Sequence, residues 1–289
     1  MTLSRREVRE VLDRHGLRPS RALGQNFVVD ANTLRRIARL AGVGPGSDVI
    51  EIGAGLGALT LALAETGAHV TAVEVDRGLV PLLREQVESL GVRVVEADAL
   101  TLDWTELLGV GEADAAGPHI SAPSWAMVAN LPYNVAVPVV LRVLDEAPSI
   151  LSMLVMVQRE VGERLAAGPG DKAYGAVSVK VAYHATARVV GRVPASVFVP
   201  RPAVESVLVR LERRPEVAVD PGAVPASRLF QIVRAGFGHR RKMLRQSLSG
   251  VVPPEAFTAA GIDPEARAEN LSVQDWGRLA ACAPGPSAS

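Results

Sequence analysis

The run DVIEIGAGLG at 48–57 constrains this chain more than any other feature of it. A short, largely apolar stretch ends in three glycines at alternate positions. ALTLALAETG follows with helical character, and HVTAVEVD (69–76) returns as a second apolar run. A strand that breaks at a glycine turn into a helix and comes back as another strand is a βαβ unit. The crossover makes its two strands parallel, and apolar parallel strands need cover on both faces. The chain is thereby committed to a layered α/β domain.

The alternation extends in both directions. Asp30 to Ala41 reads as a helix, with Leu34, Ile37, Ala38 and Ala41 on one face and Arg35, Arg36 and Arg39 on the other; Asp30 or Asn32 can cap it. LVPLLREQVESL (79–90) reads as a helix, VRVVEAD (92–98) and WAMVAN (125–130) as strands, VPVVLRVLDEA (137–147) as a helix and ILSMLVMVQ (150–158) as a strand. The segment GEADAAGPHISAPS (111–124) reads as a mobile surface loop. KVAYHATARVVGRV (180–193) and SVLVRLERR (206–214) are then β-rich, with proline-dense PASVFVPRPAVE between them and no helix, which predicts an antiparallel hairpin at the sheet edge. From about 226 to 282 the pattern is one of short helices: SRLFQIVRAGF, HRRKMLRQSLSG, PEAFTAAG and VQDWGRLAACA. The expected architecture is a doubly wound, mostly parallel Rossmann-like sheet with an antiparallel edge hairpin over 1–214. A small all-α domain follows over 215–289, with 283–289 disordered.

Hydrophobic residues make up 48% of the chain, enough to bury sizeable cores, so global disorder is excluded. The single Cys282 excludes a disulfide framework and a cysteine-based metal cluster, and suggests a reducing compartment. No stretch reaches the roughly 18 apolar residues of a membrane span, and the N-terminal SRREVREVLDRHG has no apolar signal core, so a cytoplasmic location is expected. The histidines at 15, 69, 119, 184 and 239 are scattered without ligand spacing, so no metal is expected. A net charge of zero hides an asymmetry: 1–40 carries +5, 41–183 carries −10, 184–250 carries +8 and 251–289 carries −3. Two basic regions flanking an acidic one suit a polyanion held beside a pocket, although solvated helix faces give the same counts.

Gly53, Gly55 and Gly57 lack Cβ atoms, so a ligand can approach the backbone at the start of a helix with free N–H groups. Their spacing is G-x-G-x-G, which does not meet the dinucleotide fingerprint. Glu74 ends the second strand, where a carboxylate can accept both hydroxyls of a ribose. Asp98 ends the third, where it could accept from an adenine amino group. The alternative is that both carboxylates merely cap the next helices. Taken together, the turn and the two acids at successive strand ends look like an S-adenosylmethionine site.

The fourth strand runs into Asn130-Leu131-Pro132-Tyr133. An exocyclic base amine is a poor nucleophile, because its lone pair is delocalised into the ring. The Asn130 amide oxygen and the Leu131 carbonyl can accept its two N–H groups and aim the lone pair at a sulfonium methyl. Pro132 fixes the backbone that presents the carbonyl, and Tyr133 offers a stacking face for a base. Asn130, being neutral, orients the amine and is no base; water can take the proton. A base entering such a site must be flipped out or lie in a loop. The other reading is a strand-ending turn with Tyr133 in the core.

RALGQNF (21–27), the glycine turn, Glu74, Asp98, NLPYNVAVP (130–138), FVPRPAVES (198–206), GFGHRRKMLRQSL (236–248) and ARAENLS (266–272) together resemble the ribosomal RNA adenine dimethyltransferases over about 18–280. The resemblance implies dimethylation of the N6 amines of two neighbouring adenosines in a hairpin loop near the 3′ end of small-subunit rRNA, with S-adenosylmethionine as donor. It also implies a role in late small-subunit assembly, and we expect a monomer. It puts Asn26 and Val28 in the cofactor site with Gly53, Glu74, Asp98 and Asn130, and sets Phe198 opposite Tyr133 to sandwich the base, against a core role for Phe198. Ala54 and Met243 depart from the common pattern, where proline and threonine are usual, without removing a proposed contact. Arg240, Arg241, Lys242 and Arg245 are expected on one helix with Met243, Leu244 and Leu248 as its apolar face. Four cations so close suit phosphates, the alternative being a solvated face. Arg18 and Arg21 are further RNA candidates. Three rivals remain: a large-subunit rRNA adenine methyltransferase, a protein-glutamine methyltransferase, and a non-catalytic assembly factor that binds RNA on the same fold.

Overall fold

The computed structural model describes residues 4–20, 23–109, 124–239 and 241–283. The chain forms two compact units, Met1–Gly162 with Val189–Glu212, and Glu163–Arg188 with Arg213–Ser289. The second unit therefore takes in 163–188 as well as the C-terminal segment, where a single boundary near 215 was expected from the sequence.

In the first unit, α1 (Arg5–Arg14) starts at Ser4, whose hydroxyl accepts from the Glu7 N–H while the Glu7 carboxylate accepts from the Ser4 N–H. After β1 (Phe27–Val28), α2 (Ala31–Ala41) is capped by Asp30 at the Thr33 N–H and closed by Gly42 in the left-handed conformation. The βαβ unit is β2 (Asp48–Ile52), α3 (Ala58–Ala64) and β3 (His69–Glu74). The alternation continues with α4 (Val80–Val87), β4 (Arg93–Glu96), α5 (Trp104–Leu107), β5 (Trp125–Asn130), α6 (Ala136–Glu146) and β6 (Ile150–Gln158). The chain then passes through α7 (Arg159–Ala166) and α8 (Ala176–His184) to β7 (Ala185–Val193), β8 (Phe198–Val199) and β9 (Ser206–Arg213).

Seven strands form one sheet in the order β4-β3-β2-β5-β6-β9-β7. Pairings among β2 to β6 are parallel, and β9 runs antiparallel to β6. Val49, Leu63, Val128, Leu154 and Leu208 are among the buried residues that hold α2 and α3 against it, each worth roughly 1.5–3 kcal/mol of burial. β1 and β8 make a separate antiparallel pair, Phe27 against Val199 and Val28 against Phe198. Strands β2, β3 and β4 step one way across the sheet, and β5 returns to the other side of β2. Ligands bind at such a switch point, beyond the carboxyl ends of the strands. Gly53 follows β2, Glu74 ends β3 and Asn130 ends β5, so three expected site elements share one edge.

Residues 180–184 belong to α8 and not to a strand. Valines at alternate positions 177, 179 and 181 imitate a strand, yet Val179 and Tyr183, one turn apart, both enter the core of the second unit. Tertiary burial overrides the β preference of branched side chains. That core also gathers residues of α9 (Ala226–Gly238), α10 (Leu244–Ser247), α11 (Pro254–Ala260) and α12 (Val273–Cys282), with Trp276 at its centre. A Cβ on Gly236 would stand 2.5 Å from the Trp276 ring, so the close approach of α9 and α12 requires glycine there.

The basic segment also differs from expectation. Met243 is extended and bridges to Arg267, with the Leu244 N–H donating to the Ala266 carbonyl, so α10 cannot begin before Leu244. Arg241 and Lys242 lie in the turn ahead of it, and Met243 is exposed instead of forming an apolar face. Arg21, Arg240 and nearly all of the expected 111–124 loop lie outside the described residues. Of the expected disordered end, Ala283 is described and buried; 284–289 lie outside the described residues. Among the described residues no helix is long and apolar enough to cross a membrane, and no cluster of three or more His, Cys, Asp or Glu could hold a metal ion.

Candidate functional site

A cavity opens at the carboxyl ends of β2, β3 and β5, and its lining includes Asn26, Val28, Gly53, Gly55, Glu74, Asn130, Leu131, Pro132 and Tyr133. Val8 of α1, Glu51 of β2 and Val75 also line it; the sequence reading passed over all three. An acid inside an otherwise apolar strand was the available signal for Glu51.

Gly53 and Gly55 have φ of 73° and 59°, a backbone region that favours glycine. A Cβ on Gly55 would meet the Phe27 ring at 3.1 Å. Glu74 ties the turn down. Its Oε2 accepts from the Gly55 N–H at 2.7 Å, and its Oε1 accepts from Val75 and Asp76 N–H at 3.0 and 2.9 Å. Burial raises the Glu74 pKa, with these three bonds opposing it. Glu74 thus shapes the turn as well as facing the cavity. Glu51 is buried, its Oε2 has no hydrogen-bond partner, and burial first and the Glu74 charge after it push its pKa to about 8. An orphaned buried acid on one wall, with glycines and a second acid on another, fits a cationic nucleoside such as S-adenosylmethionine.

Asn130 donates from Nδ2 to the Asn26 carbonyl at 2.9 Å. A carbonyl can only accept, so this bond fixes which way the amide points and leaves Oδ1 available as an acceptor. Leu131 donates its N–H to the Met156 carbonyl, while its own carbonyl takes no backbone bond among the described residues. The Tyr133 hydroxyl pairs with Ser206 Oγ at 3.1 Å, which pins the ring, and burial raises its pKa. Gly24 packs onto this turn so closely that a Cβ would lie 2.9 Å from Asn134 Oδ1 and 3.0 Å from Pro132 Cβ. A second, more open cavity is lined by Gly24, Gln25, Asn26, Tyr133, Asn134, Gln158 and residues 200–204. Gly24, Gln25, Asn26 and Tyr133 line both cavities. The protein thus has two adjoining chambers, with Asn130 held against their common wall.

Other expected residues lie elsewhere. Gly57 closes the turn, where a Cβ would press on Leu83 at 3.0 Å, and does not line the cavity. Asp98 is exposed, accepts from the Leu100 N–H at 2.8 Å and lies outside the lining; it caps the turn at 99–101, while the next helix, α5, is capped by Asp103. Phe198 is wholly buried in the sheet core with Val28 and Leu34 and lines neither cavity. The expected stacking role of Phe198 is corrected: β1–β8 pairing turns its ring inward, and the segment after it reaches the outer chamber. Arg18, Arg241 and Lys242 are exposed, and Arg245 is held by Glu265 at 3.2 Å. The described cations of this run, Arg241, Lys242 and Arg245, therefore do not stand unopposed on one helix.

A doubly wound sheet with a glycine turn, acids at strand ends and an Asn-Leu-Pro-Tyr turn beside a second chamber defines a Rossmann-like methyltransferase. The sequence pattern of the family described as ribosomal RNA adenine dimethylase matches residues 17–283. A Kineococcus radiotolerans protein named ribosomal RNA small subunit methyltransferase A is 47% identical, over 98% of this chain and 92% of its own. The solved 23S rRNA methyltransferase ErmE is 27% identical with a TM-score of 0.66, covering 89% of this chain and 99% of its own. A solved dimethyladenosine transferase from Plasmodium falciparum shares the fold, with a TM-score of 0.70 at 21% identity over 88% of this chain and 95% of its own. The chain belongs to the ribosomal RNA adenine dimethylase family.

Proposed function

We propose that the protein dimethylates the N6 amines of two adjacent adenosines in the 3′-terminal hairpin loop of small-subunit rRNA, using S-adenosylmethionine. The observation that carries this reading is the orientation of Asn130: its donor is used by the Asn26 carbonyl, and its acceptor is left beside the wall common to both chambers. The inner chamber suits the cofactor, with Glu51 matched to a cationic group and Glu74 to the ribose; the outer suits the base. When bound, S-adenosylmethionine supplies an electrophilic methyl on a sulfonium. Asn130 Oδ1 and the Leu131 carbonyl accept the two N6–H bonds and hold the nitrogen lone pair in one direction. Tyr133, pinned through Ser206, gives the adenine a fixed face to stack on. No side chain is needed as a base, because the alkylated amine is acidic enough to lose its proton to water.

The greater likeness to a small-subunit enzyme, at 47% against 27% for the large-subunit one, supports the small subunit as partner. Such a substrate places the protein in the cytoplasm. Exposed Arg18, Arg241 and Lys242 suit phosphate contacts, and the second unit is read as the ribosome-contacting part. The test is to incubate the protein with labelled S-adenosylmethionine and unmethylated small subunits and to map the label. Two neighbouring dimethylated adenosines near the rRNA 3′ end are expected. Label on large-subunit rRNA, or none at all, would overturn the proposal.

A further inference from the structure

We propose that Arg201 holds a phosphate of the acceptor RNA strand at the mouth of the outer chamber, a positioning role that rests on the reading of that chamber as the base site. Among the described residues, the other polar side chains that line the chamber are the amides of Gln25, Asn26, Asn134 and Gln158 and the phenol of Tyr133, and Arg201 is the formally charged one. Amides and a phenol can meet the edges and face of a base, but none can neutralise the phosphodiester that must arrive with it. A guanidinium can, with two parallel donors.

The local chain is built to hold in place the backbone that carries that guanidinium. Pro200 and Pro202 flank Arg201, so φ is fixed on either side and Arg201 itself is confined to extended backbone. Two residues earlier the chain is paired to β1, with Val199 opposite Phe27 and Phe198 opposite Val28. Asn26, which accepts from Asn130, immediately precedes that pair. The charge is thus carried on a stiff segment registered to the residue that orients Asn130, while Arg201 itself remains exposed. The nearby Glu205 lies 4.0 Å from Arg159, and among the described lining residues Arg201 is the cation.

The experiment compares wild type, Arg201→Ala and Arg201→Lys by equilibrium binding to unmethylated small ribosomal subunits across a salt series, with KM, kcat and cofactor affinity alongside. For Arg201→Ala we expect binding and KM to weaken roughly tenfold, on the scale of one charge-assisted hydrogen bond. The log–log salt slope should fall by about 0.7, with kcat and cofactor affinity unchanged. Arg201→Lys should restore the slope and only part of the affinity. Unchanged binding and slope in Arg201→Ala would overturn the proposal. Weaker binding with an unchanged slope would overturn it too, by making Arg201 a base-stacking group. Binding is read without turnover, so a protein that shows the Arg201-dependent slope yet transfers no methyl would refute the proposed function and leave the phosphate contact standing.

Discussion

Replacing Asn130 by alanine removes two things that the structure separates. The first is the Oδ1 acceptor, which on the proposed reading orients the incoming amine; loss of one such contact costs about 10²-fold in turnover. The second is the Nδ2 donor to the Asn26 carbonyl at 2.9 Å, a half-buried bond whose loss leaves that carbonyl without its side-chain partner. That bond is worth about 1 kcal/mol of stability, a fall of roughly 2–4 °C in Tm for a chain of this size. Asn130→Asp loses the donor without shortening the side chain. It keeps an oxygen in the acceptor position but sets a second oxygen against the Asn26 carbonyl, so the carboxylate must turn away. Both variants should transfer methyl at least about 10²-fold more slowly in a single-turnover assay with labelled cofactor. Cofactor affinity by calorimetry should change much less, because Asn130 is one of many lining groups. A variant with near-normal turnover would refute the assignment of Asn130 as the amine's acceptor. Slow turnover with cofactor affinity lost in equal measure would refute the separation of the two chambers.

Glu51 stays protonated in the folded protein up to about pH 8, whereas an ordinary carboxyl ionises near 4.5. The folded state therefore holds an extra proton between these values, and stability falls as pH rises through them; Glu51→Gln should flatten that fall in a Tm–pH series. A cation binding beside Glu51 must displace its proton below pH 8, so cofactor affinity should rise with pH up to about 8 and lose this dependence in Glu51→Gln. Glu74→Ala should both lower Tm and weaken the cofactor roughly tenfold or more, since it strips three backbone N–H groups of their acceptor; a changed affinity at unchanged Tm would contradict the bonds to the turn. Arg241 and Lys242 changed together to alanine should reduce the salt slope for subunit binding by up to about 1.5, with cofactor affinity unaffected; an unaltered slope would make this face merely solvated. Gly24→Ala should impair subunit binding and turnover together, because its Cβ must displace the Asn134 amide and Pro132; normal kinetics would show that the turn can yield.

The parallel sheet and its switch point were legible because apolar runs and glycine punctuation are local signals, and β2, α3 and β3 follow them almost residue for residue. The Asn130 turn was legible for the same reason. Features set by packing were not. The alternating valines of α8 carry a strand signal that is overruled by a core assembled from residues 50 to 100 positions away. The basic run at 239–250 carries a helix signal, and a bridge from Met243 to Arg267 cancels its first half. Phe198 could not be placed from sequence, since an aromatic beside prolines suits a core and a pocket equally. Its pairing with Val28 decides the matter. Glu51 carries the signal of an acid inside an apolar strand, but only its unpartnered carboxylate oxygen and its place in the cavity lining give that signal a meaning.

The segment 23–28 explains why a chain can keep two chambers in fixed relation without a large interface between them. Gln25 donates to Asp76 at 2.7 Å, just beyond the Glu74 that ties down the glycine turn. Asn26 accepts from Asn130 at the end of β5. Phe27 lies on Gly55, and Gly24 on Pro132. Four consecutive residues thus touch the carboxyl ends of three neighbouring strands, and each contact depends on a missing Cβ or a specific amide. Helices and strands supply the rigid edge, but this short stretch sets the distance between the two chambers proposed as donor and acceptor sites. Methyl transfer is sensitive to misplacement of about 1 Å. A turn-and-strand segment fixed at four points meets that demand where a mobile loop would not. The same contacts explain why RALGQNF is as informative in the sequence as the glycine turn itself.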